Sequence, residues 1–198
     1  MASTTRVPKA EITGLYGYVI KRFSKKLLGD VPESVEVTWH NRPVLSTILG
    51  IGRKSDKWNQ LDPNLKSFAH MAVASMVGCS WCLDFGYFHA HNAGLDEAKA
   101  SQVPRWRESD VFTPLERDVM EYAEAMTATP PTVTDELSDR LLEQLGAPAL
   151  VELAAWVAVS NLYTRSNTAL GVESQEFSKA CPIPLAKPSA SYATSASA

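Results

Sequence analysis

Helix start and stop signals recur along almost the whole chain, and they constrain its fold more than any other feature. Asp62-Pro63 places a capping carboxylate directly before a proline at the first helical position. The run Thr113-Pro114-Leu115-Glu116 is a capping box with a proline in the same position. Gly146 and Gly171 each follow an apolar run, and glycine commonly ends a helix. No stretch alternates apolar and polar residues over six positions, so we predict an all-α fold.

These signals divide the chain into a series of predicted helices. In chain order they run from about Ile12 to Leu28, from Arg42 to Gly50 or Gly52, from Pro63 towards Gly78, from Cys79 to Asn92, briefly from Asp96, from Pro114 to Met126, from Thr134 or Asp135 to Gly146, and from Pro148 to Leu170. The first helix predicts an apolar side opposite most of its basic residues, and that side consists of Ile12, Leu15, Tyr16, Val19, Ile20, Phe23 and Leu27. The last helix is apolar nearly all round, which is typical of the centre of a bundle or of a subunit interface. The residues from Pro104 to Arg107 are expected to form an exposed loop.

Composition indicates one globular domain. The chain has 198 residues, of which 45% are hydrophobic and 21% charged, enough for a single packed core. We predict one domain over residues 1–177, with its core at about 40–175, and a Pro/Ser/Ala-rich tail at 178–198 that is extended or disordered. The net charge of −3 argues against a nucleic-acid partner. Without an apolar run near 20 residues or an apolar signal core, we expect no membrane span and a cytoplasmic location.

Two cysteines one helical turn apart, Cys79 and Cys82, carry the main chemical signal. Such a C-x-x-C pair can close a redox-active disulfide, hold half of a zinc site or pack as two inert small residues. Gly78 is well placed to end one helix, which would put Cys79 at the N-terminus of the next. Backbone N–H groups and the helix dipole favour a thiolate there. Cys82, one turn further in, lies within disulfide range.

A zinc site at this pair needs two further ligands, and the sequence does not supply them nearby. The third cysteine, Cys181, belongs to the tail. His89 and His91 follow Cys82 on the same predicted helix, and seven residues of helix span about 10 Å, too far for one ion. A mixed site with His40 or His70 stays open as an alternative, and we expect no metal and no cofactor. The inert buried pair remains open as an alternative to the redox pair.

The motif and its surroundings resemble the carboxymuconolactone decarboxylase and AhpD-like alkylhydroperoxidase superfamily. The resemblance covers roughly residues 40–175. It is carried by Leu61-Asp62-Pro63, Val77 to Cys82, His91 to Leu95, Phe112 to Arg117 with Tyr122 to Met126, and Leu150 to Leu153 with Asn161 to Asn167. It implies an AhpD-like helical bundle that assembles into a homo-oligomer, a dimer, trimer or hexamer.

The resemblance also implies roles for the two thiols. In the peroxidase members the second cysteine attacks the hydroperoxide and the first resolves it as a disulfide, so Cys82 would be peroxidatic and Cys79 resolving. Those members relay protons through a glutamate twelve positions before the first cysteine and a histidine four positions after the second. Here these positions are Ser67 and Gly86. His70 is one turn from Ser67 and His89 is one turn beyond Gly86, so both are candidate replacements.

Two further residues could line a pocket. Trp81, between the cysteines, could shield the pair or favour organic peroxides, and it could equally pack at a subunit interface. Arg165 shares a helix face with Asn161 and could contact a carboxylate, or it could anchor helix ends.

The leading hypothesis is an antioxidant enzyme that reduces hydroperoxides through a Cys79–Cys82 dithiol/disulfide cycle. Its expected partners are a small-molecule hydroperoxide and a dithiol reductant protein that returns two electrons. One alternative is a non-catalytic helical binding module with an inert C-x-x-C. The other is a cofactor-free decarboxylase or lyase that acts on a lactone or another cyclic organic acid, with Arg165 and a histidine in its site.

Overall fold

The computed structural model describes residues 4–193, and within this range it contains helices and no strand. The α-helices are α1 (Gly14–Leu28), α2 (Glu33–Thr38), α3 (Arg42–Ser55), α4 (Pro63–Val77), α5 (Ser80–Asn92), α6 (Glu97–Ala100), α7 (Pro114–Thr127), α8 (Asp135–Leu170) and α9 (Ala190–Ala193). Two 3-10 turns, Val103–Glu108 and Phe177–Ala180, join this set. The predicted all-α fold is confirmed.

Helix α4 lies at the centre of the bundle, where it packs against α5, α7 and α8. Its sequence is rich in apolar residues on every side, and Phe68, Met71 and Val73 have no exposed surface. Tyr87 of α5 and Leu153 of α8 are buried in the same core. Because α4 ends beside the start of α5, this arrangement fixes the helix junction that carries the two cysteines.

The capping residues identified in the sequence perform as predicted. The Asp62 carboxylate accepts hydrogen bonds from the backbone N–H groups of Asn64 and Leu65. The Thr113 hydroxyl and the Glu116 carboxylate form a reciprocal capping box at the start of α7. Thr134 caps α8 by accepting from the Leu137 N–H. These side chains satisfy N–H groups that the first turn of a helix leaves unpaired.

Gly146 divides α8 into two helical parts, as predicted. Its backbone has a φ of 74° and a ψ of 163°, far from helical values, and the helix continues beyond it to Leu170. By length and by a mean hydropathy of 1.5 over 18 residues, α8 alone among the described helices would suit a membrane span. It is bent at Gly146 and packs on α4 and α7.

The buried side of α1 matches the predicted apolar side only in part, since Ile12 is buried and Ile20 packs against the same cluster. Leu15, Val19 and Phe23 are 83%, 55% and 64% exposed. The helix instead packs through Gly17, where an added Cβ would lie 2.9 Å from Ile12 and 3.3 Å from Trp39. Periodicity correctly grouped the apolar side chains, but close approach through a glycine decided which side is buried. The result is an exposed apolar stripe on α1.

The region from Pro104 to Arg107 is also not the exposed loop expected. It lies in the first 3-10 turn, and Trp106 is buried with its indole N–H donated to the Glu124 carboxylate at 2.7 Å. Arg107 pairs with the same carboxylate and lies over the Trp106 ring. An indole with a buried hydrogen-bond partner explains why this segment packs inward.

The C-terminal segment runs back across the bundle as far as the described residues reach. The Asp84 carboxylate accepts from the backbone N–H groups of Phe177 and Ser178, at 3.0 and 2.8 Å. Further along, the Ala186 N–H donates to the Ser101 carbonyl at 2.9 Å. Residues 194–198 of the predicted tail lie outside the described range, and the proposed domain boundary at 177 stays a prediction.

Candidate redox site

The two cysteines lie where α4 ends and α5 begins. Gly78 ends α4 with a left-handed backbone, φ 76°, which glycine adopts without strain. Cys79 is the N-cap of α5, and its Sγ accepts a hydrogen bond from the Cys82 backbone N–H at 3.2 Å. The sulfur thereby occupies the position that a serine or aspartate oxygen usually takes. The predicted placement of Cys79 at a helix N-terminus is confirmed.

Cys79 and Cys82 form a disulfide, with their Cα atoms 5.3 Å apart. Only 2% of Cys79 and 1% of Cys82 is exposed. A pair at this distance can be oxidised to the disulfide and reduced again to two thiols, a change of two electrons. In this conformation, however, the surrounding side chains shield both sulfur atoms from reagents in solution.

Asn167 of α8 contacts the second sulfur. Its side-chain amide donates to Cys82 Sγ at 3.4 Å. A donor at this position stabilises an anionic sulfur more than a neutral one. In the sequence Asn167 belongs to a segment that carries the family resemblance, and nothing there connects it with the thiols. The two residues are 85 positions apart, and only the packing of α8 across α5 brings them together.

His70 of α4 reaches the same site. Its Nδ1 shares a hydrogen bond with the buried Ser160 hydroxyl at 3.1 Å. The other edge of its ring faces Gly86, where an added Cβ would lie 3.0 Å from Cδ2 and 3.4 Å from Nε2. Burial lowers the pKa of His70 to about 4, although a hydrogen bond to the Cys82 backbone opposes the shift and the nearby His89 adds to it. His70 is therefore a neutral imidazole at pH 7.

His89 and Ser67 lie to either side of this histidine. His89 is exposed on α5, close enough to His70 for its charge to lower the pKa of that ring. Ser67 is partly buried on α4, and its hydroxyl contacts the Met71 sulfur at 3.9 Å. His70 thus lies beside the Cys82 backbone, and His89 lies on the exposed side of α5.

Trp81 and Arg165 make other contacts. The Trp81 ring stacks on Phe85 with centroids 4.9 Å apart, and its N–H donates to Gln175 at 2.9 Å. The Arg165 guanidinium donates to the Thr127 carbonyl at 2.5 Å and to the Asn161 side chain at 3.0 Å. Trp81 therefore joins α5 to the C-terminal segment, and Arg165 secures the end of α7.

Comparison with known proteins agrees with this architecture. The family model for the carboxymuconolactone decarboxylase family matches residues 45–125. The uncharacterized protein YnjA of Escherichia coli (strain K12) is 36% identical over 134 residues, which is 68% of this chain and 72% of YnjA. The chain belongs to the carboxymuconolactone decarboxylase family.

Solved structures with the AhpD-like fold extend this family assignment. A peroxidase-related protein from Ralstonia eutropha JMP134, described as an alkylhydroperoxidase AhpD core, superposes with a TM-score of 0.76 at 17% identity. The match covers 89% of this chain and 96% of that protein. A cysteine-to-alanine variant of the debrominase Bmp8 in complex with 2,3,4-tribromopyrrole gives 0.75 at 19% identity, with the same coverage. These identities establish the family fold, and they leave the activity of this member to its own residues.

Proposed function

We propose that this protein reduces hydroperoxides through a Cys79–Cys82 dithiol/disulfide cycle. The observation that carries the proposal is the disulfide itself, formed at the N-terminus of α5 with hydrogen-bond donors directed at both sulfurs. The Cys82 thiolate attacks one peroxide oxygen, the O–O bond breaks, and an alcohol leaves after it takes up a proton. The Cys79 thiolate then attacks the sulfur of the Cys82 sulfenic acid, the disulfide forms as the S–O bond breaks, and the leaving hydroxide takes up a proton to become water. A dithiol reductant protein returns two electrons.

The contacts of each sulfur support this division of roles. Cys79 accepts the Cys82 N–H at the helix N-terminus, which favours the thiolate needed for resolution. Cys82 Sγ accepts a hydrogen bond from the Asn167 amide, which stabilises negative charge on the attacking sulfur. Burial of both sulfurs opposes ionisation. The cycle therefore requires the first turn of α5 to open, which exposes the reduced pair to both water and substrate.

Proton transfer in this proposal passes through His70 and His89. The His70 ring fills the space beside Gly86, next to the position of the family's relay histidine. With a pKa of about 4, His70 is a weak base while it is buried, and a base works best with a pKa near the working pH. We therefore expect slower turnover than in members that keep both relay residues.

The decisive experiment measures hydroperoxide consumption in the presence of a small dithiol and maps the disulfide by mass spectrometry. The wild type should consume hydroperoxide and form the Cys79–Cys82 disulfide. In a single-turnover reaction after the dithiol is removed, reduced Cys79→Ser should react once and stop at a sulfenic acid that a dione reagent traps, and Cys82→Ser should not react. Equal slow consumption by the wild type and Cys82→Ser would overturn the proposal.

A binding module with an inert C-x-x-C is the second candidate, and the burial of both sulfurs favours it. It predicts that the reduced thiols of the folded protein alkylate far more slowly than those of the unfolded chain. Reaction of the folded protein as fast as an ordinary free thiol would argue against it.

Reductive debromination is an alternative reaction for the same two thiols, prompted by the likeness to Bmp8. A thiolate would take bromine as a formal cation from a brominated pyrrole, the ring carbon would gain a proton, and the second thiolate would displace bromide to form the disulfide. Replacing hydroperoxide with tribromopyrrole in the same assay distinguishes the two substrates through release of bromide.

We further propose that the protein acts as a homo-oligomer in the cytoplasm. The exposed apolar stripe of Leu15, Val19 and Phe23 supports an oligomer, because large exposed apolar patches usually mark an interface. Analytical ultracentrifugation of the wild type and of Phe23→Asp tests this. A wild-type monomer at all concentrations would contradict the oligomer.

A further inference from the structure

Three side chains of different chemistry converge on the opposite side of α5 from the disulfide. His91 lies in the last turn of α5, Glu97 begins α6, and Cys181 follows the second 3-10 turn. Their donor atoms, one nitrogen, one oxygen and one sulfur, all lie within 4.8 Å of one another. Each comes from a separate segment of chain, so the cluster exists only because the C-terminal segment packs against α5 and α6.

The distances suit a single metal ion after a small adjustment. Ligands of a tetrahedral zinc ion lie about 3.5 Å apart, since zinc–nitrogen and zinc–sulfur bonds measure about 2.0 to 2.3 Å. His91 Nδ1 and Glu97 Oε2 are already 2.9 Å apart. The side chains of His91 and Glu97 are partly exposed, 32% and 18%. They can therefore rotate by the roughly 1 Å that brings their donor atoms to zinc-ligand spacing from Cys181 Sγ.

The donor set identifies the ion. Thiolate, imidazole and carboxylate together favour zinc, whereas magnesium and calcium prefer oxygen ligands throughout. The charges agree, because a thiolate and a carboxylate balance a divalent cation. Cys181 also lies within electrostatic reach of both Glu97 and Asp84, so its surroundings carry negative charge.

We propose that His91, Glu97 and Cys181 form a zinc site that ties the C-terminal segment to α5 and α6. Binding displaces the proton of the Cys181 thiol and replaces the His91–Glu97 hydrogen bond with two metal–ligand bonds. Water completes the tetrahedron. The Tyr87 hydroxyl lies 3.1 Å from Glu97 Oε1 and 2.6 Å from the Ile183 carbonyl. It therefore orients the carboxylate by a hydrogen bond, as outer partners of metal ligands commonly do.

The competing interpretation is a hydrogen-bonded anchor without metal. Glu97 already accepts from Tyr87, His91 and the Ile183 N–H, which would be sufficient to hold the segment. The two interpretations differ in one respect: only a metal site requires the Cys181 sulfur.

The test uses untagged, fully oxidised protein, in which the Cys79–Cys82 disulfide removes the other two thiols. Cobalt is added as a spectroscopic substitute for zinc. One equivalent should produce the near-ultraviolet absorption of a cobalt–thiolate bond together with the visible bands of a tetrahedral ion, and zinc should abolish both. Absence of the thiolate absorption in the wild type would overturn the proposal without reference to any variant.

Zinc affinity is then measured by competition with a chromophoric chelator. Cys181→Ser, His91→Ala and Glu97→Gln should each weaken binding by at least about tenfold. His89→Ala is the matched control, because His89 is an exposed histidine of the same helix outside the cluster, and it should bind as the wild type does. Equal affinity of Cys181→Ser and the wild type would establish the anchor without metal.

Discussion

The imidazole ring of His70 occupies the space that a side chain at Gly86 would need, with Cδ2 3.0 Å from the position of an added Cβ. Gly86 lies four residues after Cys82, where peroxidase members of the family carry a histidine. In this chain the imidazole beside position 86 therefore comes from α4, whereas in those members it comes from the helix that corresponds to α5. Glycine at position 86 leaves the room that the His70 ring occupies.

Replacing Gly86 with alanine should destabilise the protein by about 1–3 kcal/mol, because the new methyl group collides with a ring held in place by Ser160. Gly50→Ala is the matched control. Gly50 also lies within a helix, but an added Cβ there meets nothing within 4 Å, so its stability should rise by about 0.5–1 kcal/mol. Urea unfolding measures both. Equal effects of the two changes would refute the close contact.

Moving the imidazole back to α5 should increase hydroperoxide reduction. In the double variant His70→Ala with Gly86→His, the ring of residue 70 is removed and the new histidine takes its space. A base on the same helix as Cys82, at the position that the family resemblance gives to the relay histidine, should raise the rate about tenfold or more. Steady-state consumption of hydroperoxide provides the readout, with the single variant His70→Ala as control. A double variant no faster than the single variant would count against proton transfer as the slow step.

Removal of the Asn167 amide should slow Cys82. We expect Asn167→Ala to lower the reaction rate of the reduced protein with hydroperoxide about tenfold, since a hydrogen bond to an anionic sulfur is lost. Asn161→Ala on the same helix removes a 2.8 Å bond to the Thr127 hydroxyl instead, so it should affect stability and not the thiol. Stopped-flow kinetics separates the two, and similar rates for both variants would disprove a specific role for Asn167.

Stability should fall as the pH decreases from about 6.5 to 4. The unfolded His70 binds a proton near its ordinary pKa of 6.5, whereas the folded protein holds that pKa at about 4. The unfolded state therefore gains protons first, and the loss reaches at most about 3 kcal/mol at pH 4. The free energy of unfolding should lose this dependence in His70→Gln and keep it in His40→Gln, whose parent residue is exposed. A full slope in His70→Gln would show that another group causes it.

The Cys79 cap predicts a difference between two substitutions under reducing conditions. Cys79→Ser keeps an acceptor for the Cys82 N–H, whereas Cys79→Ala leaves that donor unpaired. The serine variant should be more stable by about 1 kcal/mol, the usual value of an N-cap. Unfolding in the presence of a reductant tests this, and identical midpoints would mean that the sulfur contributes nothing to the start of α5.

The helices and the sulfur positions could be predicted because their signals are local. Asp62, Thr113 and Thr134 cap the helices that follow them, since a capping side chain bonds only a few residues away. The placement of Cys79 follows from Gly78 in the same way. Local chemistry was therefore sufficient for the boundaries of α4, α5 and α7.

Contacts between distant segments could not be predicted. Asn167 reaches Cys82 across 85 residues, and nothing in either segment specifies the crossing of α8 over α5. The exposed Leu15, Val19 and Phe23 show a second limit. Hydrophobic periodicity defines an apolar side, but a glycine that permits close approach can turn another side inward, as Gly17 does.

The first turns of α5 contact the bundle through one residue and the C-terminal segment through another. Cys82 faces the bundle, and two residues later the Asp84 carboxylate holds the backbone of the C-terminal segment. Any outward tilt of the first turn that frees the sulfurs must also displace Phe177 and Ser178. The segment at Phe177 and Ser178 is thus linked to the disulfide through α5, and a cleavage near residue 177 would alter how readily solvent reaches the pair.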